Sequence, residues 1–151
     1  MIIVLLILHG ALAVFLLGAV THQFLGVVWP RRPGQTDFVA NMRGVRPQVY
    51  ATAIVFMYVT EFILGSIIYP EYRVVARPPL EELRILYIIG LFEMKENFAA
   101  ITLAMLPAYW YFWSKAPEAR TARIMTTSIL FGTVWFALFA GHMVNNARGL
   151  F

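Results

Sequence analysis

Seven ionisable side chains stand inside otherwise apolar runs of this sequence: His9, His22, Glu61, Glu93, Lys95, Glu96 and His142. An ionisable group is expensive in hydrocarbon, so each one is a candidate functional residue. Two histidines on different helices at one depth can clamp a haem b iron axially, which makes His9 and His142 the candidate metal ligands. Each has a glycine beside it, as His9-Gly10 and Gly141-His142, and glycine lets a macrocycle approach the helix backbone. Arg73, Arg77 and Arg148 would lie at the same end and could pair with propionates. His22 has no histidine partner at its own depth, so one chain is not expected to hold a second bis-histidine haem.

The carboxylates suggest a second chemistry. Glu61, Glu93 and Glu96 are candidates for a proton relay, which intramembrane acids commonly form. Glu93 and Glu96 are three apart and should share a helix face, extended by Asn97. Tyr58, Thr60 and Thr102 would lengthen the relay, which could serve a quinone site or a redox centre in a partner. Lys95 should point elsewhere, neutralising a carboxylate from another helix or snorkelling toward polar surroundings. Carboxylates with histidines in a helical bundle are also the ligand set of di-metal proteins. Here the third helix carries Glu-x-x-Glu rather than Glu-x-x-His, so that chemistry is a minor reading. The first helix, from His9 to His22, resembles the histidine-bearing helices of small membrane cytochromes, a likeness confined to that one helix.

The elements that must position these groups follow from composition. The chain has 151 residues, 60% hydrophobic and only 13% charged. Soluble domains carry roughly 25% charged residues, so lipid is the expected solvent. The expected fold is all-α, an integral membrane four-helix bundle in a single domain spanning 1–151. Its helices should run over about 2–29, 48–69, 80–113 and 120–146. Pro30 and Pro70 are read as stops, and Pro78-Pro79-Leu80-Glu81-Glu82 as a helix start. The third helix is long and should kink near Pro107. The first helix is too long for a signal-peptide core and reads as a retained span.

Basic residues set the expected orientation. Arg31, Arg32, Arg43, Arg46, Lys115, Arg120 and Arg123 fall in the two loops on one side, against Arg73, Arg77, Arg84 and Arg148 on the other. That bias puts both termini on the non-cytoplasmic face, in a membrane read as a bacterial inner one. Trp29, Tyr50, Tyr69, Tyr72 and the run Tyr109-Trp110-Tyr111-Phe112-Trp113 fit interface belts.

Absence of cysteine excludes disulfides and thiolate-bound metal. There is no phosphate-binding loop, nucleotide fingerprint or zinc cluster. The net charge of +4 arises from residues between apolar segments, so nucleic acid is not an expected partner. The combined expectation is a membrane subunit of a respiratory or redox complex, binding haem b or shaping a quinone and proton site. It would associate with the lipid bilayer and other membrane subunits. The alternatives are a non-catalytic structural subunit, or a proton-coupled, ion-coupled or carboxylate-metal membrane protein.

Overall fold

Long runs of apolar residues with little polar interruption favour helix in lipid, because a helix satisfies its own backbone hydrogen bonds. The computed structural model describes residues 2–29, 34, 38 and 47–148. Among these the regular structure is entirely helical: α1 (Ile2–Val28), α2 (Pro47–Glu71), a π turn (Tyr72–Ala76), α3 (Arg77–Glu82), α4 (Leu86–Ser114) and α5 (Arg120–Arg148). Arg31, Arg32, Arg43 and Arg46 of the sequence argument lie outside the described residues.

Three stretches are long and apolar enough to cross a membrane: Ile2–Val28, Gln48–Glu82 and Arg120–Ala147. Only 6% of the apolar window in α1 is buried inside the protein. Phe15 is 71% exposed and Phe56 is 73% exposed. Water would not tolerate so much continuous apolar surface, whereas lipid does. Helix α4 carries Glu93, Lys95 and Glu96 and is absent from that set of three.

One boundary departs from the sequence reading. The helix does not stop at Tyr69: it continues through Pro70 and the π turn to Glu82. Proline lacks the N–H of an ordinary turn and clashes with the carbonyl four residues back. At Tyr72–Ala76 the turn widens, and Arg77 N–H bonds to Tyr72 O, five residues back. Pro78 and Pro79 then occupy the first positions of α3. The Pro-Pro-Leu-Glu-Glu segment therefore closes this long helix rather than opening the next.

The reversal is a Schellman arrangement. Ile85 N–H bonds to Leu80 O at 2.9 Å and Arg84 N–H to Glu81 O at 3.1 Å. Arg84 sits in the left-handed region with φ 56°. Leu80 and Ile85 meet in the apolar cluster beneath the turn, the contact that usually accompanies this cap. Helix α4 begins after it, at Leu86, and runs through Pro107 to Ser114.

The long helices pack as neighbours in the order α1, α2, α4, α5 and back to α1. A central core joins them through Leu16, Val20, Ile54, Leu106, Leu130 and Val134. A second cluster, with Tyr72, Leu80, Phe92 and Val144, sits at the α3–α4 end.

Polar pairs also link the helices. Trp135 Nε1 donates to Thr21 Oγ1 at 3.0 Å between α5 and α1, and Tyr109 donates to Gln23 between α4 and α1. Trp110 Nε1 donates to Thr52 Oγ1 at 2.9 Å, and Trp113 Nε1 to Thr127 Oγ1 at 3.0 Å. Three members of the aromatic run thus bond across helices, and Tyr109 is fully buried. Anchoring at an interface is not their sole task, because a buried indole or phenol needs a polar partner.

Candidate intramembrane site

His9, Glu61, Lys95, Glu96 and His142 line a cavity of about 620 Å³ between α1, α2, the π turn, α4 and α5. Its floor is the central core, through Leu16, Tyr58 and Val134. Most of its wall is apolar, and a few polar groups converge on it, the usual make-up of a small-molecule site.

His9 and Glu61 form the first polar pair. His9 Nδ1 lies 2.9 Å from Glu61 Oε1, with side chains 25% and 15% exposed. The separation is that of an ion pair, but the ring N–H is not aligned for a hydrogen bond, and Glu61 Oε2 has no hydrogen-bond partner among the described residues. The imidazole lies over Gly65: a Cβ built there would sit 3.3 Å from His9 Cε1. Glycine at that point is what lets the ring settle against α2.

Lys95 and Glu96 form the second pair, 3.0 Å apart and both on the cavity wall. This corrects the expectation that Lys95 points elsewhere. Adjacent helical residues diverge at Cβ, but the long lysine stem can fold back. Its ammonium also sits 4.3 Å from the centre of the Phe92 ring, a cation–π contact. Phe92 stacks on Tyr72 with ring centres 3.8 Å apart. Tyr72 is 7% exposed, and its hydroxyl has no hydrogen-bond partner among the described residues.

No family model, no curated protein and no solved structure matches this chain.

His142 lines the same cavity as His9. Its Nε2 is 3.1 Å from Asn146 Nδ2, one turn further along α5. Glu93 does not line the cavity. It faces Arg77, whose Nη1 is 3.0 Å from Glu93 Oε1 while Nε is 2.6 Å from Glu81 Oε1. The expected grouping of Glu93 with Glu96 is therefore split, and Arg77 is occupied by carboxylates. Arg73 is exposed and approaches the Tyr69 hydroxyl at 3.4 Å. His22 is far along α1, with its ring 5.4 Å from that of Tyr50.

The relay hydroxyls are committed to partners. Tyr58 donates to Ala99 O at 3.0 Å and Thr60 to Phe56 O at 2.9 Å. Thr102 donates to Thr133 Oγ1 at 2.9 Å. Among the described residues no group of three or more His, Cys, Asp or Glu side chains is placed to hold a metal ion. The sequence reading missed Tyr72 and Gly65 as parts of the site. A tyrosine beside Pro70 reads as an interface anchor, and a helical glycine as a packing contact.

Proposed function

We propose that this protein is a membrane subunit of a redox system, whose cavity binds a quinone-type ring and exchanges protons with it. The observation that carries this reading is the His9–Glu61 pair, 2.9 Å apart on the wall of a largely apolar cavity. Glu61 stands beside Nδ1, which leaves Nε2 as the ring nitrogen free to meet a ring oxygen. Oxidation of a bound quinol releases two protons and two electrons. The protons pass to His9 and Glu96, and the electrons leave one at a time to a redox carrier in a neighbouring subunit.

In this reading the chain is a four-helix membrane bundle, with α4 as the remaining crossing and kinked near Pro107. Both termini lie on the non-cytoplasmic face of a bacterial inner membrane. The Lys95–Glu96 pair lowers the cost of carrying charge on α4, since paired charges are the form tolerated in lipid.

The test is equilibrium binding of a 1,4-benzoquinone to the full chain in lipid nanodiscs. Saturable binding that is lost in His9→Ala and weakened in Glu61→Gln is expected. Wild-type protein that shows no saturable binding sinks the reading.

Haem b held by His9 and His142 is the second reading, favoured by their shared cavity and by the carboxylate against His9 Nδ1. Ligation there would require His142 to turn from Asn146 or to use Nδ1. A Soret band in protein expressed with haem, lost in His142→Ala, is its signature. Its absence removes this reading and leaves the quinone site standing.

A further inference from the structure

The walls of the cavity are unequally covered. Its lining residues on α2, the π turn and α4 are all buried or half-buried. The exposed ones are Ile3, Ile7 and Gly10 of α1, and His142 and Asn145 of α5. The opening therefore lies along one seam, between the N-terminal half of α1 and the C-terminal half of α5. The other half of the same seam is held by the Thr21–Trp135 hydrogen bond and by Phe24 stacked on Phe131, with ring centres 4.3 Å apart. Glycine at 10 and 141 keeps the open half wide: a Cβ built on either meets no other atom within 4 Å.

We infer that this slot is a lateral portal, through which a lipid-dissolved ring with a long hydrocarbon chain enters from the bilayer and leaves its chain lying between α1 and α5. The inference rests on the quinone reading and narrows it to a prenyl-like or alkyl-chained quinone. Two features fit that occupant. The slot is edged by Ile3, Leu6, Ile7 and Leu138, which suit a hydrocarbon chain, while the polar His9–Glu61 and Lys95–Glu96 pairs lie further in and suit ring oxygens. The slot is also cut between two helices long and apolar enough to cross a membrane, where a water-soluble ligand is scarce. Lipid is as apolar as the slot, so the chain gains little affinity from burial there. What matters is room, and a bulky side chain in the slot acts by excluding the chain sterically.

The test uses the full chain in nanodiscs and two ligands: a 1,4-benzoquinone bearing a decyl chain, and the same ring without it. Gly10→Phe and Gly141→Phe place a ring in open slot. Gly132→Phe on α5 is the control, because its Cβ also meets open space and it does not line the cavity. The portal variants should bind the chained quinone at least about tenfold more weakly and the bare ring within about threefold of wild type, where tenfold corresponds to about 1.4 kcal/mol. The control should bind both normally. Unchanged affinity for the chained quinone in both portal variants overturns the inference. So does an equal loss for both ligands, which would mean that the slot is the ring site itself. Failure of wild type to bind either ligand is a different result and overturns the quinone reading.

Discussion

Replacing Gly65 should separate the stability of this protein from its ligand affinity. A Cβ at 65 would lie 3.3 Å from His9 Cε1, so Gly65→Ala forces the imidazole back by a few tenths of an ångström. Alanine is favoured over glycine inside a helix by about 0.8–1 kcal/mol, which offsets mild overpacking. Unfolding in mixed detergent micelles should therefore show unchanged or slightly raised stability. The same displacement disturbs the 2.9 Å approach of His9 Nδ1 to Glu61. His9 is the group that meets the ring in the quinone reading, so moving it by a few tenths of an ångström should lower quinone affinity by about threefold, under about 1 kcal/mol. Gly65→Val carries two further carbons about 1.5 Å beyond Cβ, which no small ring movement accommodates, and should cost at least about tenfold in affinity. Gly18→Ala, where the added Cβ meets open space, supplies the helix gain without the displacement. Normal quinone affinity in Gly65→Val, or an equal affinity loss in Gly18→Ala, would refute the argument.

Three further outcomes are expected. Tyr109→Phe should destabilise the fold by about 1–2 kcal/mol, because it leaves the buried Gln23 side chain without its donor; adding Gln23→Leu should recover part of that loss, and strict additivity in a double-mutant cycle would count against the coupling. Arg84→Gly should leave stability unchanged or raise it by up to about 1 kcal/mol, since φ 56° strains a residue that has a Cβ, and a melting temperature lowered by several degrees would contradict this. Arg77→Ala removes contacts to two exposed carboxylates; its effect on stability should be small and shrink with added salt, and ring affinity should stay intact; a large affinity loss measured in nanodiscs would place Arg77 in the site after all.

The helices were legible because apolar runs in this chain are long and charges few. The mistaken boundary at Tyr69 has a local cause: proline usually ends a helix, and nothing in the residue types announces that a widened turn will absorb Pro78 and Pro79. Depth along an axis could be reckoned from the sequence, and His9 and His142, expected near the same end, do line one cavity. Azimuth could not. Whether Glu93 turned toward Glu96 or toward Arg77 depended on α3 running past Pro70 and bringing Arg77 alongside α4. Likewise the partners of Trp110, Trp113 and Trp135 are threonines 58, 14 and 114 positions away. A tryptophan near a helix end, as Trp110 and Trp113 are, reads as a membrane anchor until such a hydroxyl is known to face it.

The unequal hydropathy of the helices also bears on biogenesis. Insertion of an isolated helix is opposed by about 2.5–3.5 kcal/mol for each Asp, Lys or Arg at its centre. Helices α1 and α5 and the α2–α3 stretch carry enough apolar length to enter lipid alone, whereas α4 brings Glu93, Lys95 and Glu96. In the four-crossing arrangement, α4 would leave the translocation machinery as a hairpin with the stretch before it, joined by the tight cap at Leu83–Ile85. Arg77 is then already in place for Glu93, and Lys95 for Glu96. The same ion pairs that sit beside the cavity in the finished protein would thus act as chaperones for the one helix least able to enter the membrane unaided.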